Sequence, residues 1–414
     1  MGRPLALPLA FLAIVLPAFA LQDDPPKDPP KGGFKISSEV NQVKVEQAIA
    51  RGIAFLKTSD SPDSAIGGDS DELKLLTFIH GGVPDNDAAF TALLAKCLER
   101  KLEKTYKVSL LAMCLEELDR VKYQDKIALC GQFLLDNIKP NGGFTYGEPT
   151  AAAPEASSIP GKKDVSSKPK KPGPINPDEK QKPEVVKHIT LKKTREGAEG
   201  QRTDNSNSQY GALGIRACHD AGIHFPKETI EKCHKYWVNN QRTPANGDAK
   251  GKNVASGGKA GFGWCYSEGE LVCAKGGPAY SSMTAGAVGA LCIYDYILGR
   301  SWKGDKAVTE GMNWLDTNYS MSQNVGPCEI APVPDGWLYY YLYALERAGL
   351  LYDTTFIGKH DWYLDGYKTL LGAQKGDGSW DKSHFIKPTW DTCFAILFLK
   401  RSTRPLVAST VSPR

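Results

Sequence analysis

Two kinds of helical segment alternate along this chain, and their alternation constrains its fold more than any other feature. An amphipathic helix covers a core from outside, whereas a helix that is apolar on every side must be enclosed. Odd-numbered segments have one charged face, and even-numbered segments such as 282–296 are apolar almost all round. Closing six such hairpins into a ring buries all six apolar helices, which predicts an all-α (α/α)6 toroid with six inner and six outer helices. Apolar residues at helical spacing place these helices at 42–57, 72–81, 86–100, 106–119, 124–137, 207–221, 227–241, 281–298, 305–319, 335–349, 361–374 and 390–401.

The connections from an outer to an inner helix repeat as well. Glycine followed by an aromatic residue occurs in the segments 141–146, 261–266 and 374–380. Glycine allows a sharp turn there, and the aromatic ring can wedge between neighbouring helices. The next inner helix is expected to open on a capping residue at Asn207, Ser282 or Asp391.

The inner helices direct their N-termini, and these Gly-aromatic loops, to one end of the ring. An aromatic-lined concavity at that end suits an apolar ligand or a sugar face. We therefore expect the residues near this central cavity to be Asn207, Tyr210, Trp264, Ser282, Trp337, Tyr340, Trp380 and Trp390.

The N-terminus has the pattern of an export signal. Arg3 supplies a positive charge, residues 5–17 are apolar, and residues 18–20 (Ala-Phe-Ala) fit a cleavage site. We predict a signal peptide over 1–20, a flexible leader over 21–40, and a secreted or periplasmic protein. The apolar run is short for a membrane span, and a net charge of +4 over 414 residues does not call for nucleic acid as a partner.

The toroid is predicted over 41–147 and 201–404, with an interruption between. Residues 148–200 combine ten lysines with many prolines and few large apolar residues, a composition typical of a disordered segment. It is interpreted as a solvated linker or as a basic tether for an anionic surface. Residues 405–414 are predicted to be a disordered tail.

Ten cysteines in an exported chain make disulfides chemically possible. Seven of them fall inside predicted helices, where a buried thiol is expected. The pair considered for a disulfide is Cys265 with Cys273.

Several motifs resemble those of squalene–hopene cyclases and protein prenyltransferases. The segment 374–380 resembles a QW motif, and the run 337–349 and the segment 391–395 look like parts of related toroid proteins. The resemblance includes secreted single-toroid proteins of planctomycete-type bacteria. It implies an α/α toroid of the terpenoid cyclase superfamily and does not specify the reaction.

Terpene cyclases of this kind carry an acidic DxDD sequence at the mouth of an inner helix. At the matching place this chain has Asp204 followed by Asn205, Ser206 and Asn207, so Ser206 replaces the acid that would protonate an alkene. The candidate catalytic residues are Asp204, Asp71 within the acidic cluster 69–72, and Asp391. Acidic residues in the first turn of a helix are also favoured by the helix dipole.

Prenyltransferases hold zinc with an Asp-x-Cys pair and a later histidine. Asp391 and Cys393 match the pair, whereas the last histidine, His384, precedes it. These three are weak candidate ligands, and we expect no metal or other cofactor.

These observations favour an exported toroid that binds an apolar or extended, polyprenyl-like ligand without the DxDD acid. The alternatives are a divergent terpene cyclase or transferase, a glycan-active (α/α)6 protein whose acid and base come from groove carboxylates, and a scaffold that contacts cell-envelope partners. The sequence leaves the oligomeric state open.

Overall fold

A computed structural model describes residues 33–59, 71–149, 161–165, 182–197, 202–242, 262–266, 279–326, 336–382 and 387–406. The predicted signal peptide (1–20), Cys273, His384 and the central part of the 148–200 segment lie outside these ranges. None of the helices in these ranges combines the length and hydropathy needed to span a membrane.

Six inner helices form a closed ring. Each packs against the next in chain order, and the last packs against the first. This closure confirms the predicted toroid. The inner helices are α2 (Asp71–His80), α4 (Thr105–Asp119), α6 (Asn205–Asp220), α8 (Ser281–Ile297), α10 (Leu338–Tyr352) and α12 (Pro388–Lys400).

Six outer helices pack against this ring, each on the inner helix of its own hairpin or of a neighbouring one. Burial follows the predicted alternation, since fifteen of the seventeen residues of α8 are buried but only six of the twelve in outer helix α9. The outer helices are α1 (Gln42–Thr58), α3 (Ala88–Glu99), α5 (Gln124–Asn137), α7 (Lys227–Asn240), α9 (Lys306–Thr317) and α11 (Trp362–Ala373).

Short strands accompany the helices. A three-stranded sheet has the order β1 (Gly161–Val165), β2 (Lys187–Leu191) and β3 (Ile223–His224), with β1 and β2 antiparallel and Ile189 of β2 opposite Ile223 of the parallel β3. A second pair joins β4 (Phe356–Ile357) to β5 (His360–Asp361).

The end of the 148–200 segment is ordered, which corrects the expectation of a disordered insertion for residues 182–197. Ile189 and Leu191 are buried, and β2 contacts outer helix α5. Gln124 donates a hydrogen bond of 2.6 Å to the carbonyl of Lys187, and the Lys182 ammonium pairs with Glu117 at 2.5 Å. Alternating apolar residues give this stretch a strand with one buried face, despite the polar composition of the whole segment. Because residues 182–197 pack over the outer face of α5, twelve of its fourteen residues are buried, a larger share than in any other outer helix described.

The toroid also extends slightly beyond its predicted limits. Phe34, predicted to lie in the flexible leader, packs on Trp362 with ring centres 5.1 Å apart. At the other end, Leu406 is buried, and the carbonyl of Pro405 accepts a hydrogen bond from Arg216. The seven cysteines predicted inside helices are all buried there, as expected: Cys97, Cys114, Cys130, Cys218, Cys233, Cys292 and Cys393.

The Gly-aromatic loops share one hydrogen-bond pattern. The backbone N–H of the aromatic residue donates a bond of 3.0 Å to a hydroxyl near the start of the next inner helix, from Phe144 to Ser208, from Trp264 to Thr284 and from Trp380 to Thr392. In two of the loops a glutamine that ends an outer helix completes the link. Gln241 donates to the carbonyl of Phe262 in its own loop and to the carbonyl of Ala307 on α9. Gln374 donates to the carbonyl of Gly378 in its own loop and to the carbonyl of Ala48 on α1. Each loop therefore ties an inner helix to the outer layer.

One glycine of these loops provides a test of their geometry. Gly378 has a φ of 88°, and a Cβ there would lie 2.5 Å from the carbonyl oxygen of Arg51. We expect Gly378→Ala to lower the free energy of unfolding by about 2 kcal/mol or more, because it adds left-handed strain to a backbone clash. Urea unfolding at constant pH measures this.

The matched control is Gly376→Ala in the same loop. No atom lies within 4 Å of a Cβ built on Gly376, and its φ is not left-handed. This variant should match or slightly exceed the stability of the parent protein. Equal losses in the two variants would show that the loop does not hold the left-handed turn at Gly378.

Candidate functional site

The first turns of α6, α10 and α12 approach one another across the lumen of the ring. Helix α8 separates α6 from α10 around the ring, yet the Ser206 hydroxyl lies 3.0 Å from the Tyr340 hydroxyl. The Tyr340 ring contacts Phe394 of α12, with ring centres 5.6 Å apart. The side chains that make these contacts, with the neighbours that bond or stack with them, are named here the lumen cluster: Ser206, Gln209, Tyr210, Tyr340, Tyr343, Arg347 and Phe394.

A chain of hydrogen bonds runs through the lumen cluster. Gln209 donates from Nε2 to the Tyr340 hydroxyl at 2.5 Å, and its Oε1 accepts from Arg347 Nη2 at 2.9 Å. All three side chains are buried. Gly286 of α8 leaves room for this amide, because a Cβ there would lie 2.5 Å from Gln209 Oε1. The amide therefore fixes the positions of both Tyr340 and Arg347.

Arg347 is a buried cation in the middle of α10, with 2% of its surface exposed. Its guanidinium lies 4.0 Å from the centre of the Tyr343 ring and 5.7 Å from that of Tyr210. Its Nη1 has no hydrogen-bond partner in the part of the chain that the structure describes. The adjacent Glu346 instead accepts hydrogen bonds of 2.9 and 2.7 Å from Thr403. Since arginine stays charged and its Nη1 is buried without a hydrogen-bond partner among the described residues, an anion beside Arg347 would be stabilised.

Two partly buried tryptophans lie next to the cluster at the start of α10 and α12. The Trp337 ring centre is 6.0 Å from that of Tyr340, and the Trp390 ring centre is 6.4 Å from that of Phe394. Trp337 has a φ of 66°, a left-handed conformation that costs a non-glycine residue about 1 to 3 kcal/mol. Such strained residues concentrate at functional sites. Trp337 and Trp390 thus lie beside the same aromatic cluster as Tyr210 and Tyr340.

Asp204, a predicted catalytic acid, is the N-cap of α6. Its Oδ1 accepts a hydrogen bond of 2.6 Å from the backbone of Asn207, and its Oδ2 accepts one of 2.8 Å from the Asn207 side chain. Asn207 is therefore the residue that is capped, which corrects its predicted role as the cap. The cap lies three residues earlier because its side chain must reach forward to that N–H. Burial raises the pKa of Asp204 to about 6, against the lowering effect of both bonds.

Asp71, the second candidate acid, is placed apart from Asp204 at the start of α2. Its carboxylate forms ion pairs with Lys96 at 2.6 Å and Arg100 at 2.5 Å. Glu72 also faces Arg100, at 3.4 Å. Both bases come from the last turn or C-cap of α3, so these acids join two helices. Asp69 and Ser70 lie outside the described ranges.

Asp391 and Cys393 face different neighbours in α12. The Asp391 side chain accepts a hydrogen bond of 3.0 Å from the backbone of Lys382. It is not the cap of α12, because the helix begins at Pro388, three residues before Asp391, with Lys387 in the N-cap position. Burial raises the pKa of the Cys393 thiol to about 12, with a weaker lowering effect from a hydrogen bond with Thr77. A buried, protonated thiol is a packing residue rather than a ready metal ligand.

Three residues predicted near the cavity lie in the wall of the ring instead. Trp264 and Trp380 are fully buried, and their indole N–H groups donate bonds of 2.8 Å to the carbonyls of Trp237 and Leu370 on outer helices. Ser282, predicted as the cap of α8, lies within its first turn and exchanges hydrogen bonds with Asn324. The wedge role expected of the loop aromatics explains Trp264 and Trp380, since a ring between two helices cannot also face the lumen.

The sequence analysis did not single out Gln209 or Arg347. A signal for Arg347 was present, because Glu346 and Arg347 are charged residues within an inner helix that is otherwise apolar and must be buried. Gln209 carried no such signal, since both of its partners come from α10, which is not its neighbour in the ring.

No family model and no curated protein matches this chain. Among solved structures it is similar to an inactive variant of the α-1,6-mannanase GH76A of Salegentibacter sp. HEL1_6 in complex with α-1,6-mannotriose, with 8% identity, a TM-score of 0.48, and coverage of 86% of this chain and 99% of that one. It is also similar to the type II terpene cyclase MstE from Scytonema, with 12% identity, a TM-score of 0.45, and coverage of 87% and 97%. The fold is an α/α toroid. Likenesses at this level carry no argument about activity.

The pKa of Asp204 leads to a test based on pH. Well below its ordinary pKa of 3.8 the carboxyl is protonated whether the chain is folded or not. As the pH rises through 6 it ionises at a cost in the folded state, so the stabilisation relative to the unfolded chain is lost. Two pKa units correspond to about 3 kcal/mol. We therefore expect the parent protein to lose about that much stability relative to Asp204→Asn between pH 4 and pH 7 in urea unfolding.

Asp87→Asn serves as the control of opposite sign. A hydrogen bond from Lys57 lowers the pKa of the exposed Asp87 carboxyl, so its contribution to stability is lost as the pH falls. The parent protein should gain stability relative to this variant as the pH rises. If the difference in unfolding free energy between the parent protein and Asp204→Asn does not change with pH, the pKa of Asp204 is not raised by burial.

Proposed function

We propose that this toroid is a binding protein whose lumen holds an extended amphipathic ligand. The apolar body of the ligand contacts the tryptophans at the start of α10 and α12, and an anionic head group pairs with Arg347. The observation that carries this proposal is Arg347 itself, a buried cation with an unpartnered Nη1 among the described residues.

The arrangement of α10 supports an extended shape for the ligand. Trp337, Tyr340, Tyr343 and Arg347 follow one another at helical spacing along one face. Ten residues of helix separate Trp337 from Arg347, which corresponds to about 15 Å. A ligand reaching from the partly buried tryptophan to the guanidinium passes Tyr340, so it must displace the Tyr340 hydroxyl from Ser206 and Gln209.

The same geometry supports binding rather than alkene protonation. Ser206, at the position of the cyclase acid, lies within hydrogen-bond distance of Tyr340, and neither hydroxyl is acidic enough to protonate an alkene. The family-level proposal is a toroid related to squalene–hopene cyclases and prenyltransferases that lacks this acid. From residues 1–20 we also propose that the protein acts outside the cytoplasm.

A series of probes with one chain and three head groups tests the proposal. Dodecanol, dodecanoate and dodecyl phosphate should be titrated into the protein, with tryptophan fluorescence and calorimetry as readouts, because Trp337 and Trp390 lie beside the binding path. We expect the two anions to bind and dodecanol to bind at least about tenfold more weakly, since a hydrogen bond to a charged group contributes about 1.5 to 3 kcal/mol.

Arg347→Met removes the charge at similar volume and should abolish the preference for anions. Arg347→Lys should keep part of it. Without ligand, Arg347→Met should stay folded and lose little stability, because removing a buried charge offsets the loss of the hydrogen bond to Gln209. Arg300→Met, at an arginine 47% exposed, controls for net charge. Equal binding of the three probes to the parent protein, or an unchanged preference in Arg347→Met, would overturn the proposal.

A second candidate function rests on Asp204. Its pKa of about 6 is suited to a general acid at neutral pH, although Asn207 engages both oxygens. Mass spectrometry of a geranylgeranyl substrate incubated with the protein tests this. Conversion that is lost in Asp204→Ala but kept in Asp87→Asn would favour an enzyme over a binding protein, and no conversion would exclude this acid.

A further inference from the structure

A second cluster of ionisable groups lies away from the lumen, where α7, α8 and α9 meet. His234 of α7 lies between two carboxylates, with its Nε2 3.3 Å from Asp295 Oδ1 and 3.0 Å from Asp305 Oδ2. The three donor atoms all lie within 4.8 Å of one another. Asp295 is 2% exposed, whereas the side chains of His234 and Asp305 are 13% and 15% exposed. The cluster is thus closed by Asp295 and open to solvent beside the other two.

Hydrogen bonds within the cluster leave part of it unsatisfied. One imidazole N–H can point fully at only one acceptor, yet two carboxylates face the same nitrogen. The Oδ2 of Asp295 is buried and has no hydrogen-bond partner in the ranges that the structure describes. An ionised carboxylate oxygen without a partner is costly to bury, so this oxygen indicates a missing positive group.

The position of Asp295 in its helix adds to that cost. It lies in the last turn of α8, where the helix dipole places partial negative charge and disfavours a carboxylate. Asp305 differs, because it caps α9 by accepting bonds from Ala307 and Val308 through Oδ1. Its Oδ2 is the oxygen that faces His234, so the capping role leaves one oxygen for a ligand.

We propose that His234, Asp295 and Asp305 bind a divalent metal ion of the zinc class. Imidazole and carboxylate are the donors that such ions take, with bonds of about 2.0 to 2.2 Å. In a tetrahedral site with those bonds the donor atoms lie about 3.3 to 3.6 Å apart, close to the 3.3 and 3.0 Å that separate His234 Nε2 from the two carboxylates. Neutral His234 with two carboxylates balances a charge of +2, whereas imidazolium with the same carboxylates leaves the cluster at −1. Solvent beside His234 and Asp305 provides the fourth ligand.

Metal titration of the whole protein tests the site. Protein dialysed against EDTA should bind one equivalent of Zn²⁺ in calorimetry. Co²⁺ should bind to the same site, compete with Zn²⁺, and give the visible absorption typical of four-coordinate cobalt. Absence of stoichiometric binding by the parent protein would overturn the proposal.

Two variants separate this site from other sources of binding. Asp305→Ser keeps a capping oxygen for α9 while removing the metal ligand. It should therefore stay folded by circular dichroism and no longer bind the equivalent of Zn²⁺. His234→Gln should also lose Zn²⁺ binding. His188→Gln disrupts a different imidazole pair, in which His188 Nδ1 lies 2.7 Å from His224 Nε2, and should keep the equivalent. Binding that survives in folded Asp305→Ser, or that is lost in His188→Gln, places the metal elsewhere and contradicts the proposal.

Discussion

The ring depends on the contact between each Gly-aromatic loop and the inner helix that follows it. A loop whose aromatic N–H bonds to Ser208, Thr284 or Thr392 fixes where that helix begins. The ring of the aromatic residue then fills the space between helices. Because the inner helices are apolar almost all round, hydrophobic burial alone would allow them to slide or rotate. The directional hydrogen bonds of the loops set the register of α6, α8 and α12, and Ser206 of α6 can meet Tyr340 of α10 only when that register is set.

A filled lumen changes what the fold can do. Tyr340, Gln209 and Arg347 occupy the centre in a connected network, so any ligand must exchange its own contacts for theirs. The network is satisfied everywhere except at Arg347 Nη1, in the part of the chain that the structure describes. Cation–π contacts with Tyr343 and Tyr210 offset some of the cost of burying that charge. A hydrophobic side chain would incur no such cost, which is why a charge at this position is more readily explained by a role in binding than by stability.

The fold could be predicted closely from sequence, and the site only in part. Helical spacing located all twelve helices because burial imposes that spacing directly, as for α5, predicted and found at 124–137. Helix starts were less accurate, since Asp204 and Asn207 are both good caps and only the backbone decides between them. Aromatic composition could not separate Trp380, which fills the wall, from Tyr340, which fills the lumen. That distinction depends on the direction of each Cβ after the ring has closed. Gln209 and Arg347 meet through tertiary structure, which no local pattern encodes.

The two candidate sites lie on different inner helices, and each contains an unsatisfied charged group in the part of the chain that the structure describes. In the lumen cluster that group is the cation Arg347, which lies in the middle of α10, beyond the first turn where the helix dipole acts. At the end of α8 the backbone contributes partial negative charge, and the unsatisfied side chain is a carboxylate, Asp295. The helix dipole therefore adds to the field of Asp295 but not to that of Arg347. The cluster around Asp295 favours a cation for two reasons, its unpartnered oxygen and its place at a helix end, whereas the lumen cluster favours an anion through the charge of Arg347 alone.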